Sequence, residues 1–389
     1  MLMTPESSVE MLARLVAFPT VSRDSNLPLI DWVEAYLERF DARCRRTWNA
    51  EHTKANLFAA IGPDVAGGVV LSGHTDVVPV DGQDWHTDPF ALTERDGLLY
   101  GRGTTDMKGF SAVFLSRLAS LDIAAMKKPL YLALSYDEEV GCLGVGRMLE
   151  DALAHVAKPD FAIIGEPTTM QVVRAHKAIN SFRTVVTGKA AHSSQPHMGA
   201  GAILAAGRII EKLDQIGRAR RAAPADSGCE PPWTTVQVGT IQGGNAVNIL
   251  PAHCEFVWEY RSMPGEDPDL VLDALQTFID KEVLPDLREF APDASVKTET
   301  IARVPPLIAD AQAKAERWVE GLAGVREGGS GEVAFATEGG SFQNAGISSV
   351  VCGPGSIDQA HQPNEFIDPA ELERCEAMVD DVFTYLYTT

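Results

Sequence analysis

Residues 68–76 have the sequence GVVLSGHTD, an apolar run that ends directly in His74 and Asp76. Similar apolar runs occupy residues 128–135, 161–164 and 348–352. Apolar residues at helical spacing precede the first run: Leu29, Trp32, Val33, Tyr36 and Leu37. Strands that are apolar on both faces are typical of parallel sheets covered by helices on both sides. The sequence therefore predicts an α/β fold with a mostly parallel sheet covered by helices.

The pattern changes between residues 180 and 304. Strand, helix, strand, strand, helix and strand are expected in that order at residues 181–187, 200–216, 234–241, 254–261, 270–290 and 295–304. This βαββαβ order is typical of a ferredoxin-like unit, and the segment is apolar enough to form its own core. We therefore expect an inserted domain at residues 180–304, which could close as a lid over the active-site cleft and exclude water, and a catalytic domain made of residues 1–179 and 305–389.

The end of the chain returns to the α/β pattern and predicts a terminal helix. Asp368 suits the N-cap, Pro369 suits the first helical position, and Glu371 is placed to complete a capping box. Apolar residues then recur at helical spacing: Leu372, Cys375, Met378, Val379, Val382, Phe383 and Leu386. This stripe predicts that the helix packs against the sheet.

The composition indicates which kinds of binding partner the protein is not expected to have. The 389 residues carry a formal net charge of −21 and the pI is near 4.8, which argues against a nucleic-acid groove or an anionic membrane surface. No stretch approaches about 18 uncharged apolar residues, and the N-terminal segment lacks the pattern of a signal peptide, so we expect a cytoplasmic protein. The six cysteines are scattered without a CxxC pair, so reduced thiols are expected rather than a disulfide framework or a thiolate zinc site.

Side chains that commonly bind metals follow four of the apolar runs. They are His74, the adjacent Glu138 and Glu139, Glu166 and His361. Because sites in parallel α/β sheets form beyond the carboxyl ends of the strands, these side chains are expected to share one crevice. Asp106 is a further candidate, in a loop (GRGTTDMKG) that lacks the Gly-Lys-Ser/Thr order of a phosphate-binding loop. Imidazoles and carboxylates without thiolates favour Zn²⁺, Co²⁺ or Mn²⁺.

Each of these residues, taken alone, has an ordinary structural explanation. A single histidine is more often hydrogen-bonded within the protein than bound to metal, and two adjacent glutamates usually face solvent. Glu166, which precedes Pro167, would also be explained by the end of a strand. The combination at successive strand ends is what favours a site.

Seven segments of the chain resemble one known family. They are SGHTDVVP, YGRGTTDMKGF, SYDEEVG, IIGEPT, GKAAHSSQP, GGNAVNILP and GPGSIDQAHQPNEF. Together they extend over nearly the whole chain and are similar to the M20 family of dinuclear zinc hydrolases, which includes aminoacylases, carboxypeptidases and amino-acid deacylases. The segments GRGTTDMKGF and GPGSIDQAHQPNEF most resemble the acetylornithine deacetylase branch of that family.

The resemblance implies two metal ions and their ligands. His74 and Glu166 would bind one ion, and Glu139 and His361 would bind the other. Asp106 would bridge both ions. Zn²⁺ is the implied metal, with Co²⁺ or Mn²⁺ as alternatives.

The resemblance also implies three residues that act beside the ligands. Asp76 would hold the His74 ring through its second nitrogen, and Glu138 would be the general base that takes a proton from the attacking water. His192 resembles a histidine of the inserted domain that stabilises the oxyanion in the active site of the partner subunit. A homodimer formed through the inserted domain is therefore implied.

Substrate contacts follow from the same resemblance. Asn248 and Arg261 resemble residues that contact the substrate's carboxylate. Gly339, Gly340 and Ser341 match a glycine-rich substrate loop, although two glycines also favour an ordinary turn. The implied substrate is a small N-acyl amino acid, acetylornithine first, with succinyl-diaminopimelate, other N-acetyl amino acids and peptides as alternatives. A binding protein without activity is a further alternative, but such a relative would be expected to have lost a ligand or the base.

Overall fold

The computed structural model of the chain describes residues 6–389, and the first five residues of the N-terminal segment considered above lie outside that part. Its strands are β1 (Arg43–Trp48), β2 (Ala55–Ile61), β3 (Val69–His74), β4 (Thr93–Arg95), β5 (Leu98–Tyr100), β6 (Leu130–Ser135), β7 (Phe161–Ile164), β8 (Val173–His176), β9 (Ile179–Thr187), β10 (Ala191–His192), β11 (Thr235–Gly243), β12 (Ile249–Leu250), β13 (His253–Arg261), β14 (Ser295–Val304), β15 (Gly331–Val333), β16 (Ser348–Val351) and β17 (Phe366–Ile367). Its α-helices are α1 (Ser8–Val16), α2 (Leu27–Leu37), α3 (Lys108–Arg117), α4 (Val145–Leu153), α5 (Ala202–Arg221), α6 (Leu270–Phe278), α7 (Leu284–Phe290), α8 (Lys314–Glu320), α9 (Gly339–Asn344) and α10 (Pro369–Leu386).

The chain divides into two units. The first contains the residues up to Ala175, Leu307–Glu332 and Thr337–Thr389. The second contains His176–Pro306 and the short segment Val333–Ala336, whose place in this unit the sequence did not indicate. The action of the second unit as a lid or a dimerisation domain stays a prediction.

The first unit is built on an eight-stranded sheet. The strand order is β1-β2-β6-β3-β7-β16-β8-β15. The four central strands, β6, β3, β7 and β16, are parallel to one another, whereas β2 and β8 run antiparallel to the central strands beside them. The predicted α/β class with a mostly parallel sheet is confirmed. The edge strands were not predicted; β1 has the sequence RCRRTW, which shows no apolar alternation.

Helices cover both faces of this sheet. Every residue of β3 is buried, and side chains alternate between the two faces of a strand. Val69 and Leu71 belong to a core cluster with residues of α1, α2, α3 and α10, whereas Val70, which points the other way, does not. Helix α4, whose buried side chains also lie outside that cluster, contacts β1 and β2. Burial on both faces explains why the central strands are uniformly apolar.

The second unit has the βαββαβ element order. Its antiparallel sheet has the strand order β11-β13-β9-β14, and side chains of α5, α6 and α7 share its core. Burial alternates along β13, so that Cys254, Phe256, Trp258 and Tyr260 face this core. The helix expected at residues 270–290 is present as α6 and α7, joined by a π-helical turn at Ile279–Val283. Pro285 in the first turn of α7 has no N–H to donate, which favours the break.

The terminal helix forms as expected, but its capping box does not. Asp368 accepts a hydrogen bond from the main-chain N–H of Ala370 and is the N-cap. Glu371 does not reach back to the N-cap; its carboxylate contacts Arg326 and accepts a hydrogen bond from the N–H of Gly355. The charged partner outcompetes the local contact, so that part of the expectation is wrong.

Two further expectations concern the whole described chain. Across residues 6–389, no helix combines the length and apolar character needed to cross a bilayer. All six cysteines lie within the described residues, and none of them forms a disulfide bond there.

Candidate metal centre

The ends of three neighbouring strands bring the candidate ligands together. β3 ends at His74, β6 ends shortly before Glu138, and β7 ends shortly before Glu166. β3 lies between β6 and β7 and is parallel to both, so their carboxyl ends are side by side. Gly165 is required before Glu166, because a Cβ at that position would lie 2.0 Å from the ring of Phe110.

Asp106 lies between the two histidines. Its Oδ1 is 3.0 Å from Nε2 of His74, and its Oδ2 is 3.3 Å from Nε2 of His361. Nε2 of His361 is also 2.9 Å from Oε2 of Glu139, and Nε2 of His74 is 3.8 Å from Oε1 of Glu166. The structure therefore brings together the five residues expected to be ligands, with Asp106 in the middle.

Glu138 lies in the same cluster. Potential ligand atoms of His74, Glu138 and Glu166 lie within 4.8 Å of one another, as do those of His74, Asp106 and Glu139. Glu138 is thus close enough to be a ligand. Its assignment as a base depends on the resemblance and on chemistry, not on distance.

Asp76 makes different contacts from those implied by the sequence. Nδ1 of His74 is 2.8 Å from the main-chain oxygen of Asp76 but 3.7 Å from the Asp76 carboxylate. The carboxylate accepts hydrogen bonds from the main-chain N–H groups of Glu138 and Glu139, at 3.1 and 3.3 Å, and from the Ser22 hydroxyl at 2.7 Å. The main chain of Asp76 therefore holds the His74 ring, while its side chain holds the segment that carries both glutamates.

The cluster carries an excess of negative charge. Burial raises the pKa of Glu166 well above its usual value, and burial together with Asp106 raises the pKa of Glu139 to about 7. Burial disfavours the charged form of His74, yet its hydrogen bond to Asp106 and the charge of Glu166 raise its pKa well above normal. Hydrogen bonds to Asp106 and Glu139 raise the pKa of His361 to about 10. The carboxyl shifts come first from burial, whereas the neighbouring carboxylates raise the pKa values of both histidines.

The side chains fit divalent metal ions. Oε1 of Glu139 and Oε1 of Glu166 are buried, and neither has a hydrogen-bond partner within residues 6–389. An unpaired buried carboxylate oxygen is costly unless a cation lies beside it. Nδ1 of His74 faces a carbonyl oxygen, which only accepts, so in the neutral ring Nδ1 carries the proton and Nε2 presents a lone pair to the cluster.

Two side chains beside the cluster were missed by the sequence analysis. Glu338, in the segment TEGGSF, is fully buried near Ser135 and Ser72, and burial raises its pKa to about 7. Cys142 donates a hydrogen bond from Sγ to Oε1 of Glu138 at 3.2 Å. Cys142 directly follows the segment SYDEEVG, and Glu338 directly precedes Gly339, but spacing alone does not reveal which way a side chain points.

The glycine pair is placed differently from the expected loop. Gly339, Gly340 and Ser341 form the first turn of α9. The two glycines are buried and Ser341 is half-buried. A contact between these residues and the substrate stays a prediction.

The second unit brings two of its three candidate residues together. His192 and Asn248 are neighbours, because the N–H of Ser193 donates to the main-chain oxygen of Asn248 at 3.0 Å. Arg261 ends β13, where its Nε donates to Glu259 at 3.1 Å. The pairing of β10 with β12 extends the pairing of β9 with β13 beyond the N-terminal end of β13, whereas Arg261 is at its C-terminal end. The nine residues of β13 extend roughly 27 Å. Arg261 is therefore remote from the other two.

Comparisons with known proteins agree with this geometry. The sequence profile of peptidase family M20/M25/M40 matches residues 70–384. The chain is 38% identical over 380 residues to an acetylornithine deacetylase of Myxococcus xanthus, covering 95% of this chain and 94% of the relative. It is 33% identical over 382 residues to an acetylornithine deacetylase of Klebsiella pneumoniae (strain 342), with 96% of each chain covered.

Solved structures share the fold. An M20 family metallo-carboxypeptidase from Sulfolobus solfataricus superposes with a TM-score of 0.75 at 16% identity, covering 98% of this chain and 99% of the other. A dinuclear metal binding peptidase of the M20 family from Bacillus subtilis superposes with a TM-score of 0.65 at 16% identity, covering 98% of each chain. The chain therefore belongs to peptidase family M20/M25/M40 and is an amide-bond hydrolase of that family.

Proposed function

We propose that the chain is a dinuclear-metal deacylase that hydrolyses N2-acetyl-L-ornithine to L-ornithine and acetate, a reaction that supplies arginine biosynthesis. The observation that carries the proposal is the cluster of two imidazoles and three carboxylates, with Asp106 in the middle. Two carboxylate oxygens of that cluster are buried without a hydrogen-bond partner in the described chain. The relatives named acetylornithine deacetylase, which match over nearly their full length, support the choice of substrate.

The proposed ligands divide the cluster into two halves. His74 and Glu166 would hold one ion, Glu139 and His361 would hold the other, and each carboxylate oxygen of Asp106 faces one half. Two divalent ions bound here would polarise the amide carbonyl and lower the pKa of an attacking water. The donor set suits Zn²⁺, with Co²⁺ or Mn²⁺ as alternatives.

Glu138 is the proposed general base. Burial raises the pKa of its carboxyl well above the usual value, which makes the carboxylate a stronger base. The carboxylate takes a proton from the attacking water and returns it to the leaving nitrogen, so that one side chain serves as base and then as acid. The reaction needs no covalent intermediate.

His192 is the proposed donor to the oxyanion. The main-chain N–H of Ser194 donates to Nδ1 of His192 at 3.2 Å, so Nδ1 is an acceptor and the ring proton of the neutral form lies on Nε2. The ring is exposed, so this N–H is available to an oxyanion. Arg261 and His192 are both proposed to contact the substrate, yet they lie far apart within one subunit. We therefore propose that a homodimer combines the contributions of two subunits at each site.

Replacing His192 by alanine should lower turnover while leaving bound metal at the parent level, because His192 is not among the proposed ligands. Equimolar subunit exchange with the Asp106→Asn variant should restore up to about a quarter of the parent activity, because half of the dimers are then mixed and each has one complete site. Steady-state kinetics before and after mixing measure the recovery. The absence of any recovery in verified mixed dimers would place the action of His192 within one subunit.

A substrate panel tests the acyl and amino-acid preference. We expect the highest kcat/KM for acetylornithine, and lower values for other acetylated amino acids, succinyl-diaminopimelate and dipeptides. A preference for the succinyl substrate or for peptides would identify a desuccinylase or a metallo-carboxypeptidase that uses the same cluster. If the metal-loaded protein hydrolysed none of these substrates, the proposed function would be contradicted.

A further inference from the structure

Glu365 holds the main chain of the loop that carries Asp106. Its carboxylate is fully buried and accepts four hydrogen bonds. Three come from main-chain N–H groups of the loop, those of Gly103, Thr105 and Asp106, at 2.9, 2.8 and 3.1 Å. The fourth comes from Nη1 of Arg102 at 2.7 Å. The direction in which the loop presents Asp106 therefore depends on Glu365.

Arg102 connects this loop to a second segment. It is 1% exposed, and its Nη2 donates to Oε1 of Gln83 at 2.6 Å. Its guanidinium lies 5.1 Å from the ring centroid of Trp85, and Trp85 Nε1 donates to the same Gln83 oxygen at 3.0 Å. Two donors thus fix the orientation of the Gln83 amide, which leaves its Nε2 group to donate elsewhere.

Gln83 completes the connection at His361. Its Nε2 donates to the main-chain oxygen of His361 at 3.1 Å. His361 has a φ of 63°, a left-handed conformation that costs a non-glycine residue free energy and persists where neighbouring groups enforce it. The side chain of His361 is half-exposed, and its Nε2 faces the carboxylates of Glu139 and Asp106. The hydrogen bond from Gln83 is one of the interactions that hold this turn.

We propose that Gln83, Arg102 and Glu365 form a clamp that joins the main chain at Asp106 to the main chain at His361, and that its Gln83 end sets the affinity for the ion that His361 and Glu139 would bind. The three are positioning residues, since Gln83 and Glu365 act through the main chain of a proposed ligand and Arg102 joins the two. The inference rests on the proposed metal site, but it concerns binding and not the choice of substrate. Residues that orient ligands in this way typically contribute about 10–100-fold to metal affinity.

The clamp is tested by Gln83→Glu. Glutamate keeps the acceptor for Arg102 and Trp85, but it cannot donate to the His361 oxygen. Titration of the metal-free protein with Co²⁺, followed by calorimetry and by visible absorption, should show one ion bound about 10–100-fold more weakly and the other as in the parent. The added negative charge would by itself strengthen cation binding, so weakening cannot come from charge alone. Gln83→Leu, which removes the donor without adding charge, should weaken the same ion.

Gln312→Glu is the matched control, because it makes the same chemical change at an exposed position of the first unit and should bind both ions as the parent does. The thermal midpoint of each metal-free variant is measured in parallel and should match the parent. Parent-like affinity for both ions in Gln83→Glu, or equal weakening of both, would overturn the clamp. A parent protein that binds no Co²⁺ would instead refute the proposed metal site, and no assay with substrate is needed to tell the two failures apart.

Discussion

Replacing Glu138 by glutamine is expected to lower kcat by about 10²–10⁴-fold, the usual contribution of a general base. Glutamine has the size of glutamate but cannot accept a proton from water near neutral pH. The main-chain N–H of residue 138 would still donate to Asp76, so the neighbouring Glu139 should keep its place. Steady-state kinetics on protein with a measured metal content give the result.

The metal content decides between two roles for Glu138. Its carboxylate lies within 4.8 Å of ligand atoms of His74 and Glu166, which is also compatible with direct metal binding. If Glu138→Gln retains two equivalents of metal and loses turnover, the base assignment holds. If the variant loses one equivalent of metal, Glu138 is a ligand. If its turnover is close to that of the parent, Glu138 has no part in the chemistry. Glu150→Gln, an exposed site on α4, makes the same change and should behave as the parent.

The ligand cluster could be anticipated from the sequence because parallel strands impose it. An apolar run followed at once by His74, or shortly by Glu166, places those side chains at one edge of a sheet whatever the intervening loops do. Period and apolar content identify such buried strands well. The parallel strands of the first unit and the side chains at their carboxyl ends could therefore be predicted from short stretches of the sequence.

The contacts around the ligands could not be anticipated in the same way. The family resemblance implied that Asp76 holds the His74 ring, but it is the main-chain oxygen of Asp76 that does so, while the carboxylate holds the Glu138–Glu139 segment. Glu371 likewise binds Arg326 although its position suits a capping box. In each case a polar side chain had several partners within reach, and residues distant in sequence decided which one it took.

The hydrogen bonds of Glu365 also could not be predicted from the sequence. Glu365 lies in a segment that carries the family resemblance, but its partners are main-chain groups of a loop about 260 residues earlier in the chain. No periodicity or spacing encodes a bond between a carboxylate and distant main-chain N–H groups. Such contacts become visible only when the fold has brought the two segments together.

Asp106→Asn is expected to have the largest effect on both metal binding and turnover. One carboxylate oxygen faces His74 and the other faces His361, at 3.0 and 3.3 Å, so both halves of the cluster use this residue. Asparagine retains one oxygen, and its amide NH₂ group cannot bind a cation. We expect at least one metal equivalent to be lost and kcat to fall on the order of 10⁴-fold or more, because two-metal catalysis supplies several kcal/mol of transition-state stabilisation.

Chelation of the parent enzyme separates loss of metal from loss of fold. Removing the metal from the parent enzyme should reduce hydrolysis about as much as the Asp106→Asn substitution does. Added Zn²⁺, Co²⁺ or Mn²⁺ should restore hydrolysis in the parent but not in Asp106→Asn. Asp64→Asn, the same change at an exposed position, should respond as the parent does. If the Asp106 variant kept two equivalents and full turnover, Asp106 would not be shared between two ions. If the stripped parent continued to hydrolyse its substrate, the negative charge around His74 and His361 would serve some purpose other than holding catalytic metal.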